Sequence, residues 1–296
     1  MKRGMLLFFI CFVCPTWVIS GQEGRDFLLN LTKGVVYPLH YETEMELSYS
    51  MPNAMGSSGL FLSIDYLCKV VDKDIDSYTL WIYIDELKID NLNVEPFNED
   101  LLHSEFKLFW AKHSNNFIYA IQDNYFVAKI SKRGALLLLS NQESFHEDSI
   151  KTLSQRLSIE SHKPLLDAFF SFLFKEVEEQ FKSLYEFHPG KMVTINSSWK
   201  QEYSTSQLAY NYNYLYQRTT NDYDFITVTG DYIMPTMTKE FGLATKGWLH
   251  GYYVLDKKTG WIIGSNIEGS INAKESILIQ GIQAFLKIKV VAFRRN

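Results

Sequence analysis

The sequence predicts an α+β protein, mainly antiparallel β, with curved sheets or half-barrel-like halves packed around one long central helix at about residues 164–185. Three observations carry this. Apolar and polar residues alternate with period two over long stretches on either side of the chain's middle, as in strands with one covered face. The period changes to that of a helix between 147 and 187. Glycine-bearing turns separate the strand-like runs at hairpin spacing, and strands, then helices, then strands is an α+β order.

The chain opens with Lys2 and Arg3, then Leu6-Leu7-Phe8-Phe9-Ile10-Cys11-Phe12-Val13-Cys14, Pro15 and the small pair Ser20-Gly21. Charged start, apolar run and small-residue site make residues 1–20 a secretory signal peptide, cleaved near Ser20-Gly21. The run is too short for a bilayer, which takes about 20 residues. The expectation is an exported protein, periplasmic or extracellular, with no transmembrane segment in the mature chain. Ile10 before Cys11 and Val13 before Cys14 do not fit a bacterial lipobox, so a lipid anchor is not expected.

From 35 to about 132 the chain reads as strands. Thr43–Met51 alternates; Asn53–Gly59 reads as a turn; strands follow at 60–71 and 78–89. Further strands are expected at 106–110, 117–121, 125–130 and 135–140, the last two joined by Ser131-Lys132-Arg133-Gly134. Ile150, Leu153 and Leu157 have helical spacing, giving a helix over 147–157. Pro164 suits the first turn of the next helix, whose face holds Leu166, Phe169, Phe170, Leu173, Val177, Phe181 and Leu184. Glu176, Glu178, Glu179 and Lys182 are placed largely opposite. Strands return at 192–203, 207–218, 224–233, 247–255, 260–270 and about 278–293, with Gly260 at a positive-φ turn position. The result is one β-rich domain, 21–296, with two similar-looking halves (about 34–140 and 190–295) joined by helices within 147–187.

Composition excludes several classes. The 296 residues carry a net charge of −5, and losing Lys2 and Arg3 with the signal makes it −7. A mildly acidic chain with no basic stripe is a poor nucleic-acid binder. With 18 Tyr and 21 Phe it has ample material for a core. Of three cysteines only Cys68 outlasts signal cleavage, so neither an internal disulfide nor a multi-thiolate zinc site can form.

No catalytic constellation stands out. The seven histidines form neither His-x-His nor His-Glu-x-x-His, so no metal site is expected. There is no nucleophile elbow and no phosphate loop, and no cofactor is expected. Asp85-Glu86 is read as pointing to opposite strand faces. The most unusual pattern is Tyr210-Asn211-Tyr212-Asn213-Tyr214-Leu215-Tyr216, whose four tyrosines share one sheet face. Such a ladder serves either cross-strand aromatic packing or a ligand-facing wall.

Three segments resemble a known family. They are Phe187-His188-Pro189-Gly190 through Asn196-Ser197-Ser198-Trp199, Gly247-Trp248 through Asp256-Lys257-Lys258-Thr259-Gly260-Trp261-Ile262, and Phe126-Val127-Ala128-Lys129-Ile130-Ser131-Lys132-Arg133-Gly134. Together they are similar to an uncharacterised family of exported bacterial proteins, a domain of unknown function. Its usual Gly-Asp before the tryptophan is replaced by Asn196-Ser197-Ser198, where Asn tolerates the left-handed conformation. The resemblance implies an exported, mostly β protein and brings no catalytic residues.

The function expected on this basis is non-enzymatic: a binding or envelope-associated protein with an aromatic concave face for a lipid or other amphipathic small molecule. Tyr210, Tyr212, Tyr214, Tyr216 and Phe170 are its candidate ligand-binding residues. An exported hydrolase with a site assembled from distant residues, and a structural or protein-partner module, are the alternatives.

Overall fold

The computed structural model describes residues 24–51, 54–90, 104–157, 162–204, 209–233, 244–274 and 281–291. Among the described residues eleven strands form one sheet. They are β1 (Val36–Met51), β2 (Ala54–Lys73), β3 (Ser77–Asp90), β4 (Tyr125–Ser131), β5 (Leu136–Ser140), β6 (Ser198–Ser204), β7 (Ala209–Thr219), β8 (Tyr223–Ile233), β9 (Ala244–Asp256), β10 (Ile262–Lys274) and β11 (Gly281–Val291). The helices are α1 (Ser104–Gln122), α2 (Gln142–Ser154) and α3 (Lys163–Ser183).

The strand order is β5-β4-β3-β2-β1-β11-β10-β9-β8-β7-β6, antiparallel throughout. Each half of the chain is a meander, and the first and last strands meet in the middle, from His40 opposite Val291 to Ser50 opposite Gly281. The fold class is as expected: α+β and mainly antiparallel. The halves are one continuous sheet, open at β5 and β6.

Curvature follows from a short N-terminal segment. β4 and β6 stand nine places apart, which in a flat sheet would be roughly 43 Å at about 4.8 Å per place. Yet Phe27 lies 6.3 Å from Trp199 on β6, and the Leu29 amide donates to the Lys132 carbonyl beyond β4 at 2.7 Å. Two residues span at most about 7 Å. The turn-end corners of the sheet therefore curl toward each other around this segment. The Asn30 amide also donates to Thr259, and Tyr78 donates from its hydroxyl to Leu29. Bulges where β2 meets β3 and where β7 meets β8 add local twist.

Gly134 and Gly260, which close two of these hairpins, have φ +81° and +70°. Gly260 also admits close approach, since a Cβ there would lie 2.6 Å from the Leu28 carbonyl oxygen. Both turns abut elements that line the inside of the curl, Gly134 at Tyr185 and Gly260 at Leu28.

Since β5 and β6 are opposite edges, the chain between them must cross the sheet, and α3 begins that crossing. Phe174 packs on Phe126 of β4 and Phe181 on Tyr66 of β2; beyond the helix Tyr185 reaches Trp261 and Phe187 reaches Tyr253 of β9. The whole apolar stripe read from sequence is buried, from Leu166 to Leu184.

Five expectations are corrected. The strands expected at 106–110 and 117–121 are one helix, α1: buried Phe109, Trp110, Phe117, Ala120 and Ile121 recur at helical intervals, and no Gly or Pro interrupts them. The helix near 164–185 is therefore not the single long one. Residues 54–59, read as a turn, belong to β2, because pairing with β1 continues to Met51 opposite Ala54. The strand expected from 192 starts at Ser198, after a turn in which Asn196 takes φ +68°. Asp85 and Glu86 do not face opposite ways: a bulge lies between them and β2, and buried Ile84 and Leu87 flank them, leaving both outside.

Gly134→Ala is expected to destabilise by about 3 kcal/mol, from a left-handed backbone plus overpacking, since its Cβ would meet the Tyr185 ring at 2.2 Å. Gly34→Ala, with φ +85° but open space around it, should cost only about 1 kcal/mol. Urea midpoints of the two variants measure the difference.

Candidate functional site

The candidate site is the inner, concave face of the sheet, and it is built in levels from the turn end upward. At the turn end lies a buried charge. Asp224 on β8 is fully buried, accepts from the Tyr216 hydroxyl at 2.7 Å and pairs with Arg25 Nε at 2.9 Å. Arg25 also donates to the Lys257 carbonyl and bridges Val193 through its backbone. Desolvation and the Asp224 carboxylate push the Tyr216 phenol up to about 12. Phe27 packs edge-on against Tyr216 at 5.1 Å and Phe187 at 6.5 Å. These groups close the narrow end of the curl.

Above them runs a cross-strand row in which the register aligns Ile226, Tyr253, Ser265, residue 290, Tyr41 and Ile64. Helix α3 lies against it. The Tyr66 hydroxyl donates to Gln180 Oε1 at 2.6 Å, and Tyr41 hydrogen bonds with Ser183 and Thr43. Burial holds the Tyr41 phenol at about 12 and pushes Tyr253 higher still, so both stay protonated hydrogen-bonding groups. Glu176, one turn before Gln180, is half-buried, and desolvation raises its carboxyl above the usual range.

The tyrosine ladder behaves as alternation requires: Tyr212, Tyr214 and Tyr216 turn inward, while Asn211, Asn213 and Leu215 are exposed. Tyr214 stacks on Trp199 at 5.7 Å and is buried, as is Tyr216. Tyr212 is half-buried and lies over Gly230, where a Cβ would come within 2.4 Å of its ring. Phe170 sits among Phe145, Phe169 and Phe174, away from the ladder. The side chain of Tyr210 lies outside the described residues; its backbone pairs with Tyr203 and Tyr232.

Sequence reasoning did not single out Arg25, Asp224, Gln180 or Ser265. The alternation Phe27, Leu29, Leu31 was a readable sign that 25–31 packs inward. At about 100° per residue, Gln180 falls within roughly 20° of Leu173, in the middle of the apolar stripe, which was a sign of a buried polar role. Glu176 lies on the stripe's edge rather than opposite it.

On the outer face His40 sits between two carboxylates, Nδ1 to Asp65 and Nε2 to Glu42 at 2.9 Å. Among the described residues no group of three or more His, Cys, Asp or Glu side chains could hold a metal, and no helix is long and apolar enough to cross a membrane. Cys68 is buried and free, its thiol pushed up by desolvation.

This arrangement, an open curled antiparallel sheet with helices in its concavity, frames the comparisons with known proteins. Residues 111–262, just over half of the chain, match the family described as Family of unknown function (DUF6263). The chain belongs to that family. No curated protein matches it. Among solved structures, a lipovitellin structure described for its lipid–protein interactions aligns over 90% of this chain at 11% identity and TM-score 0.47. The match spans 26% of the lipovitellin chain. An outer membrane channel from Pseudomonas putida F1 aligns over 89% of this chain and 97% of its own, at 6% identity and TM-score 0.17.

Two outcomes are expected. Arg25→Met leaves Asp224 buried without its cation and should cost about 3 kcal/mol at pH 7. Urea denaturation of variant and parent at pH 7 checks it. For His40, burial lowers the pKa but the bonds to Asp65 and Glu42 outweigh it, so the net shift is upward. A raised folded-state pKa adds stability that is complete below the ordinary histidine value of 6.5 and lost as pH rises through the folded value. The parent's advantage over His40→Gln should therefore be larger at about pH 5.5 than at pH 8.5, read as the difference in urea midpoints.

Proposed function

We propose that the protein is an exported, non-enzymatic binding protein whose concave face holds an apolar or amphipathic small molecule, with a lipid as the best fit. The basic start and apolar run within residues 2–20 support export.

The observation that carries the binding reading is how far the inner phase of the sheet continues past α3. The helix meets β1 at Tyr41, and β1 runs on to Met51, about 33 Å further at 3.3 Å per residue. The positions in phase with Tyr41 there are Thr43, Met45, Leu47, Tyr49 and Met51. Their register partners on β11 are Ile288, Leu286, Ala284 and Ile282, which align in turn with Ile267, Gly269, Ile271 and Ala273 on β10. Among the side chains described in this phase, Leu62, Val228 and Leu249 are buried and Tyr212 and Ile267 half-buried, which carries apolar groups from β2 to β7. A concave, mainly apolar surface with a few polar groups at its base is the general form of a small-molecule site.

The test is native mass spectrometry of the chain from Gly21, prepared without detergent and exposed to phospholipid vesicles. A reproducible 1:1 adduct, identified as lipid by organic extraction and lost in a folded Tyr212→Glu variant, is the expected result. A bare protein mass at every lipid loading overturns the reading.

A further inference from the structure

The outer face of β7–β10 presents aromatic rings to solvent. On β9, Trp248 is 42% exposed and Tyr252 46%, in the phase opposite to buried Leu249 and Tyr253. Trp248 is the exposed indole among the described tryptophans: Trp81 is half-buried, and Trp110, Trp199 and Trp261 are buried. Two large rings held out on one strand face are informative where a lone exposed leucine is not.

The register fixes what surrounds them. Trp248 lies between Asp231 on β8 and Ser270 on β10, and Tyr252 between Thr227 and Asn266. His250 stands between the two rings on β9, flanked by Thr229 and Glu268, and stacks on Trp248 with centroids 4.9 Å apart. Asn266 Nδ2 donates to Glu268 Oε1 at 3.2 Å. One strand further, exposed Asn211 and Asn213 continue the polar rows on β7. At about 3.3 Å per residue and 4.8 Å per strand, the rings are roughly 13 Å apart with polar positions about 5 Å to either side.

This composition separates the classes of occupant. The centre of a protein interface is depleted of charged residues, whereas here both cross-strand neighbours of each ring are polar and one is a carboxylate. A polyanion needs a field of positive charge. The flanking register positions are Lys200 and Glu202 on β6 and Lys287 and Lys289 on β11, so with Asp231 and Glu268 the acids and bases are equal in number. Rings set among amides, hydroxyls and carboxylates suit units that have an apolar face and a rim of hydroxyls, which is the chemistry of a pyranose. The face is the outer side of the curl, so it suits an extended chain laid across it rather than a single sugar held in a cleft.

We infer that the outer face of β7–β10 binds an uncharged, extended polysaccharide of the β-1,4-glucan type, with sugar faces on Trp248 and Tyr252 and sugar hydroxyls on Asp231, Thr227 and Asn266. The inference is independent of the ligand proposed above, which is assigned to the opposite face of the sheet.

The experiment titrates the chain from Gly21 with cellohexaose, with hexagalacturonate as the anionic counterpart and glucose as the single unit. Calorimetry gives the affinities, and acrylamide quenching of tryptophan fluorescence reports the cover over Trp248. Cellohexaose is expected to bind at least tenfold more tightly than either comparison sugar and to protect the exposed indole. Trp248→Ala and Tyr252→Ala, checked for an unchanged urea midpoint, should each weaken cellohexaose at least fivefold. Tyr119→Ala on α1, at a ring of similar exposure (47%), should not change it. Absence of cellohexaose binding to the parent chain overturns the inference without recourse to any variant. So does equal binding of hexagalacturonate, or an affinity unmoved by both ring substitutions. None of these outcomes bears on the lipid reading of the concave face.

Discussion

The pairing of β1 with β11 makes two meanders into one sheet. Eleven aligned positions join residues that are 231 (Ser50 to Gly281) to 251 (His40 to Val291) apart in the chain. Without this ladder each half would be a five- or six-stranded sheet with an apolar inner face too wide for its own helix material. With it, the connection from β5 to β6 has to cross the whole inner surface, and the apolar stripe of α3 covers what the two halves present to it. The curl, the buried tyrosines and the position of the polar row all depend on that join. Such a long sequence separation also carries a kinetic cost, because loop closure must precede the contacts that repay it.

The interior is graded. At the turn end Phe27, Leu29, Leu31, Phe187 and Trp261 pack densely around a neutralised charge. Asp224 can be fully buried there because it has both a cation and a phenol, the condition under which a desolvated carboxylate is tolerated. One level up, hydroxyls and an amide replace apolar atoms. Above that Leu62, Val228 and Leu249 are buried, with α1 packed on the β3 side. A core built only for stability would put its polar groups at the rim and its apolar groups at the centre; here the polar level lies between two apolar ones.

Much of this was readable from sequence. The period-two runs became strands, and the aromatic stripe of α3 was identified residue by residue because seven apolar side chains repeated at helical spacing. The helix α1 was misread because Phe106–Trp110 and Phe117–Ile121 look like short β runs when each is viewed alone; only the full 19-residue span shows the helical recurrence. Residues 54–59 were misread because Gly-Ser-Ser-Gly has turn composition, while the strand there is imposed by a partner already in register. The tyrosine ladder's inward face followed from alternation. Which of its members are sealed by packing did not, since that depends on Trp199, Phe27 and Asp224, which are distant in sequence. The polar row was illegible for the same reason: Ser265 and Tyr41 fall on one row only through the β1–β11 join.

The N-terminal segment 25–31 has a role that its length does not suggest. Its partners are Lys132 and Thr259 at two hairpin turns, Asp224 on β8 and Tyr78 on β3, drawn from both meanders. None of these contacts can form in combination until both halves have curled. The segment therefore ties the two meanders to each other and holds the curl. It has no ladder of its own in the sheet, so its few residues carry the join through three buried apolar side chains and an ion pair.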